Sequence, residues 1–158
     1  MRVDSQVDGG YTALINVKKT DENAKLPTRG SEYAAGYDLY AHMDVDELLI
    51  QPGETVKIGT GIRIGVPVGY FGGIFARSGI ASKKGLRPAN CTGIVDSDYT
   101  GEVIVALHND SNDFQTVTNG ERIAQLVVIP FLPVEFTEVD ELDETDRGAD
   151  GFGSTGSM

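Results

Sequence analysis

Cysteine and histidine are scarce in this chain, bases are outnumbered, and no long apolar run occurs. Each shortage removes a class of protein. Cys91 is the single cysteine among 158 residues, so a disulfide framework is excluded and a reducing compartment, the cytoplasm, is expected. The two histidines, His42 and His108, form no His/Cys cluster of the kind that binds zinc. No stretch approaches the length of a membrane span, and Met1 to Gly10 lacks the apolar centre of a secretory signal. Thirteen Lys and Arg against twenty-four Asp and Glu give a net charge of −11, which argues against general binding to nucleic acid or an anionic membrane. Any anionic ligand must be small and gripped locally.

A long amphipathic helix is also missing. Tyr11–Val17, Thr55–Gly59, Gly61–Val66, Glu102–Leu107 and Arg122–Ile129 instead read as short, β-branched strands bounded by Gly, Pro, Asn or Asp. The best helical segment runs from Ser78 to Lys84 and is closed by Gly85. Twenty glycines and six prolines among many short strands predict an all-β jelly roll or distorted barrel, large enough to close a core without disulfides or metal. Glu135, Glu138, Asp140, Glu141, Asp143, Glu144 and Asp146 form an acidic run with no base inside it. Such a run predicts a self-repelling, extended linker, so the chain divides into a body, residues 1–134, and a linker with a terminal arm, residues 135–158.

That arm is rich in what the rest of the chain lacks. Gly151-Phe-Gly-Ser-Thr-Gly156 spells G-x-G-x-x-G, yet a dinucleotide fingerprint needs a strand before it and a helix after it, and no room for a helix follows. A Walker loop fails too, because Ser154 stands where the phosphate-gripping Lys belongs. The segment retains glycines that can turn backbone N–H groups toward an anion, the hydroxyls of Ser154 and Thr155, the cation of Arg147 and the ring of Phe152. A solvated Gly/Ser tail would show the same glycines.

Four further segments place polar chemistry beside tight turns. Ala34-Ala-Gly-Tyr-Asp-Leu39 sets Asp38 between apolar neighbours, on the face opposite Tyr37 and Leu39 or at a strand edge. Ala76-Arg-Ser-Gly79 brings a cation, a hydroxyl and a permissive glycine to the start of the helical turn, as an anion site or as an N-cap Ser beside a surface Arg. Asn90-Cys-Thr-Gly-Ile-Val-Asp-Ser-Asp-Tyr-Thr-Gly101 leads apolar residues into Asp96, with Tyr99 three residues on. Burial there would raise the pKa of Asp96 and suit it to general-base work; a turn Asp with a core Tyr is the other reading. Gly120-Glu-Arg-Ile-Ala-Gln-Leu-Val127 alternates Arg122, Ala124 and Leu126 with Ile123, Gln125 and Val127, so Gln125 shares an apolar face and needs a partner.

Taken with the arm, these five segments in this order resemble the trimeric dUTPases over Ala34 to Gly156. The resemblance implies a jelly-roll homotrimer with sites between subunits, hydrolysing dUTP to dUMP and pyrophosphate with Mg2+. By the same resemblance Asp96 is the base that activates water for in-line attack on the α-phosphorus. Tyr99 packs under the deoxyribose and excludes a 2′-hydroxyl. The hairpin from Asn90 to Ile104, through Gly93, Ile94 and Val95, reads uracil mainly by backbone groups, helped by the Asn90 side chain. Arg77, Ser78 and Gly79 hold the phosphates with support from Gln125, and Asp38 reaches the metal through water. In the arm Arg147, Ser154 and Thr155 take the γ-phosphate while Phe152 stacks on uracil, and Gly153 is among the substrate-binding residues. Asp150 departs from the family's usual glycine, and its side chain is expected to face solvent. Two alternatives share features: a dCTP deaminase, which has the fold but no use for the aromatic arm, and a jelly-roll regulatory protein that keeps a nucleotide site as a sensor.

Overall fold

The computed structural model describes residues 3–7, 10–146 and 148–149. Fourteen strands and one helix follow in order among these residues: β1 (Val3–Val7), β2 (Gly10–Ala13), β3 (Asn16–Lys19), β4 (Thr28–Arg29), β5 (Tyr37–Tyr40), β6 (Glu47–Ile50), β7 (Thr55–Gly59), β8 (Ile62–Gly65), β9 (Tyr70–Phe75), α1 (Ser78–Lys84), β10 (Leu86–Pro88), β11 (Thr92–Val95), β12 (Ile104–Asn109), β13 (Gln115–Thr118) and β14 (Arg122–Pro130). Every strand pair is antiparallel. The main sheets run β11-β9-β14-β5-β4 and β10-β12-β7, with the pairs β13-β6, β3-β8 and β1-β2 beside them. Only β1 with β2 and β4 with β5 pair as immediate sequence neighbours. The chain thus crosses repeatedly between sheets, and the predicted all-β jelly roll is the fold observed.

Alternation along the strands fills the interior. Leu39, Ile50, Ile58, Ile62, Leu86, Val103, Val105, Leu107, Val117 and Ile123 are fully buried in one cluster. The strands β8 and β12 alternate buried and solvated positions residue by residue, as a sheet with one wet face requires. Helix α1 covers the predicted residues. Gly85 closes it in the left-handed region, with φ of 65°, and its N–H bonds back to Ala81 O. Lys83 and Lys84 complement the last turn.

Three local expectations are corrected. The strand expected over Tyr11–Val17 is broken at Leu14 and Ile15, because β2 pairs with β1 whereas β3 changes partner to β8. The strand expected from Glu102 starts at Ile104. Alternation in β14 fails at its start, where a register shift between Arg122 and Ala124 buries Ile123 and Ala124 together.

Beyond β14, residues 131–146 carry no strand or helix and are exposed. Among the described residues no helix is long and apolar enough to cross a membrane.

Candidate active site

The Asn90–Ile104 hairpin is shaped by a tight reversal. Cys91 sits at φ of 59°, the one non-glycine with positive φ among the described residues. Its N–H bonds Pro88 O at 3.0 Å and the next N–H bonds Asn90 O at 2.6 Å, which turns the chain from β10 into β11. Arg87 braces this corner through Asp110, at 2.6 and 3.1 Å, and through Pro88 O at 3.2 Å. The Asp110 hydrogen bond and charge, with a smaller contribution from Cys91, raise the Arg87 guanidinium above its ordinary value.

β11 then pairs with β9 and ends its sheet, while β12 belongs to the other sheet. The two arms of the hairpin therefore diverge instead of pairing. Between them lies a cavity of about 220 Å³, lined by Asn90, Gly93, Ile94, Val95, Asp96, Tyr99 and Ile104 together with Ile74, Pro88, Glu102, Val103, Val105 and Ala106. As the end strand, β11 turns backbone N–H and C=O groups outward that have no strand partner among the described residues. A flat ring with alternating donors and acceptors can satisfy them.

Asp96 follows β11 and opens a turn closed by Tyr99 N–H to Asp96 O at 3.2 Å. Its side chain is exposed, which corrects the expectation of a carboxyl desolvated by the apolar run before it. Val95 is buried and Ile94 exposed, so alternation turns the apolar run partly outward. Tyr99 is not a core residue either. It is 44 % exposed and donates its hydroxyl to Glu102 O at 2.8 Å.

A second cluster forms across the five-stranded sheet. Asp38 on β5 lies opposite Gln125 on β14, which lies opposite Phe75 on β9. Asp38 is buried, and β4 covers its strand, so it is not at a sheet edge. Its Oδ1 accepts from Arg77 Nε at 2.6 Å and its Oδ2 from Arg122 at 3.2 Å. Arg77 also approaches Arg122 O at 3.4 Å. Gln125 finds the partner its position demands, donating to Ala76 O at 2.8 Å. Arg77 itself is the N-cap of α1 and makes no side-chain cap, so Ser78 does not cap the helix; Ser78 and Gly79 are exposed at its start.

None of Asp38, Arg77, Ser78, Gly79 or Gln125 lines the hairpin cavity. Register explains the separation. Thr92 pairs with Phe75 beside Arg77, whereas Val95 pairs with Gly72 beside Asp96. The two groups therefore leave opposite ends of one strand pair, about 10 Å of strand apart. Arg147, Asp150, Phe152, Gly153, Ser154 and Thr155 lie outside the described residues.

The family model for dUTPase matches residues 22–156. This chain belongs to the dUTPase family. A deoxyuridine 5′-triphosphate nucleotidohydrolase of Desulfitobacterium hafniense is 50 % identical over 141 residues, covering 87 % of this chain and 91 % of that protein. One of the same name from Nautilia profundicola is 43 % identical over 142 residues, covering 90 % and 98 %. Among solved structures, a variant of the Staphylococcus bacteriophage 80alpha dUTPase with dUpNHpp aligns at a TM-score of 0.81 and 29 % identity, over 92 % of this chain and 100 % of that one. A variant dUTPase from phage phi11 of S. aureus, which coordinates a structural Mg(II) ion, aligns at 0.71 and 25 % identity, over 82 % and 98 %.

The sequence reading missed two residues. Arg122 clamps Asp38 from the far side of Arg77, and a base heading the Gln125 strand in so acidic a chain was the available signal. Glu102 lines the cavity and bonds Gly61; nothing local in the sequence marks that contact, which spans 41 positions.

Proposed function

We propose that this dUTPase-family chain hydrolyses dUTP to dUMP and pyrophosphate, lowering dUTP and supplying dUMP for thymidylate synthesis in the cytoplasm. The observation that carries the reading is the edge of β11, without a strand partner among the described residues, facing a cavity that ends at Asp96. Uracil would lie against that edge, its donors and acceptors matched by backbone groups of Gly93, Ile94 and Val95 and by the Asn90 side chain. Cytosine presents the opposite pattern and leaves these groups unpaired, a loss on the order of 10⁴–10⁵ in kcat/KM. Tyr99 stands where it would fill the space of a 2′-hydroxyl, and Ile104 closes the far wall.

Asp96 acts as the general base. Exposed in one chain, its carboxylate can accept a water proton while that water attacks the α-phosphorus in line, pyrophosphate leaving from the opposite side. Arg77, with the N–H groups and hydroxyl of Ser78 and Gly79, holds the phosphates, and Gln125 fixes the Ala76–Arg77 backbone. A metal ion would be held chiefly by the triphosphate itself. Asp38 suits a supporting part: each oxygen of its clamped carboxylate keeps a further lone pair for the water shell of Mg2+. The ion supplies neutralisation of phosphate charge when bound. The protein residues supply position.

Asp96 and Arg77 leave opposite ends of the β9–β11 pair, which favours sites shared between copies of a homotrimer, with residues 135–146 carrying the arm across to a neighbour. There Arg147, Ser154 and Thr155 take the γ-phosphate, and Phe152 and Gly153 close over uracil. Pyrophosphate release measured across dUTP, dCTP, dTTP and UTP tests the chemistry: only dUTP should turn over. Comparable dCTP turnover with ammonia release would return the deaminase reading, and binding without any turnover the sensor reading. The shared site has its own test, in which Asp96→Asn chains and chains cut after Asp146 are refolded together. About a quarter of sites should then recover in verified mixed trimers, whereas persistent inactivity refutes sharing.

A further inference from the structure

Glu102, to which the resemblance gives no role of its own, joins the hairpin to the body. Its Oε1 accepts the N–H of Gly61 at 2.7 Å, across 41 positions of sequence. Its own carbonyl accepts the Tyr99 hydroxyl at 2.8 Å. Tyr99 in turn donates its backbone N–H to Asp96 O at 3.2 Å. Three hydrogen bonds therefore run in series from the β7–β8 turn through Glu102 and Tyr99 to Asp96. Residues 97–101 make no other hydrogen bond to the body among the described residues.

The anchor end is firm. Thr60 bonds Val103 O through its hydroxyl at 2.7 Å, and Val103 N–H bonds Ile62 O at 2.9 Å. Thr60, Ile62 and Val103 are all buried. Tyr99 folds over Gly101 so closely that a Cβ there would lie 2.5 Å from the Tyr99 hydroxyl oxygen. The loop thus has a firm root where Val103 meets Thr60 and Ile62, a side-chain tie from the Glu102 carboxylate to Gly61, and a far end bearing the two groups that the proposed chemistry uses.

We infer that Glu102 is a positioning residue that fixes both the sugar-excluding ring of Tyr99 and the carboxylate of Asp96. The inference rests on the dUTP reading above. It assigns Glu102 no contact with substrate. A loop that wanders by an ångström separates base from water and opens space beside the sugar, and displacement of that size costs about 10²-fold in rate.

The test measures kcat and KM for dUTP and UTP in wild type, Glu102→Ala, Glu102→Gln, Tyr99→Phe and the Glu102→Ala/Tyr99→Phe double variant. Glu102→Ala should lower kcat on dUTP by about 10- to 100-fold. It should also reduce the dUTP-over-UTP ratio of kcat/KM by about tenfold. Glu102→Gln, whose amide oxygen can still accept the Gly61 N–H, should restore both. Tyr99→Phe keeps the ring and removes the middle bond, so it should relax the ratio in the same direction. Combined with Glu102→Ala it should add little, because the carboxylate steadies the carbonyl that Tyr99 bonds and both changes release the same ring.

A merely structural role would reduce the active fraction and leave the ratio untouched. An unchanged ratio in folded Glu102→Ala, failure of Glu102→Gln to rescue, or full additivity with Tyr99→Phe overturns the inference alone. If Glu102→Ala does not fold, Tyr99→Phe decides, and an unchanged ratio there overturns it. A wild type that accepts UTP as readily as dUTP overturns the sugar reading, and this inference with it.

Discussion

In the hairpin cavity the polar groups are backbone edges, an exposed carboxylate and the side chains of Asn90, Tyr99 and Glu102, whereas in the Asp38 cluster they are buried or half-buried side chains that neutralise one another. Both rest on β9, from opposite ends. The hairpin is braced by Arg87, Glu102 and the Tyr99 hydroxyl and, among the described residues, by no hydrogen bond of the Asp96 side chain, so its reactive group can be replaced without disturbing the fold. The cluster is different, because Asp38 is the shared partner of two guanidinium groups and of the β5–β14 register. One region separates chemistry from stability; the other combines them.

The largest effect that sharpens this contrast is expected at Asp96. Asp96→Asn keeps the shape but cannot accept the water proton, so kcat should fall by about 10²–10⁴-fold with dUTP still bound. Because the side chain is exposed, the thermal midpoint should stay within the scatter of wild type. Turnover near that of wild type would remove Asp96 from the mechanism. A lowered midpoint would show instead that the hairpin is as integral to the fold as the cluster.

Next comes Asp38, where both activity and stability should move. Asp38→Ala leaves Arg77 and Arg122 without their carboxylate. The Arg122 side chain is 52 % exposed and can turn to water, but that of Arg77 is only 23 % exposed. The loss should be about 1–3 kcal/mol in denaturant unfolding. Asp38→Asn, which keeps two acceptor lone pairs but no charge, should fall between. A fully stable Asp38→Ala with lost activity would make the cluster resemble the hairpin, and the contrast would collapse.

These two regions were also unequally legible in the sequence. Period-two runs and Gly or Pro boundaries marked the strands, and Gly85 marked the end of α1, because those signals are local. The hairpin was readable for the same reason: Asn90 through Tyr99 is one continuous segment. Its exposure was not, since the burial of Asp96 depends on which sheet each arm joins. The cluster was legible only as parts. Asp38 pairs with residues 39 and 84 positions away, and a sequence pattern reports faces of a strand rather than partners across a sheet. The β14 bulge that brings Arg122 to Asp38 likewise leaves no mark, because Ile123 and Ala124 would suit either face.

The smallest expected effect probes how tightly the cluster is packed around Gln125. A Cβ on Gly36 would collide with Gln125 Oε1, and the next nearest atoms, at 3.1 and 3.3 Å, belong to the same side chain. The contact is with the far end of a flexible group. Gly36→Ala should therefore cost less than about 1 kcal/mol, as Gln125 swings aside in place of the backbone. Swinging breaks the bond from Gln125 to Ala76 O, and Arg77, the next residue, loses a fixed backbone. KM for dUTP should rise by roughly a factor that one neutral hydrogen bond is worth, about fivefold, with kcat nearly unchanged. Gln125→Ala should mimic it, and Gly36→Ala placed on Gln125→Ala should then do nothing more, since the atom it displaced is gone. Were Gly36→Ala instead to lower stability as much as Asp38→Ala does, the strain would be entering the β5–β14 register itself, and Gln125 would count as part of the sheet's packing more than of the phosphate grip.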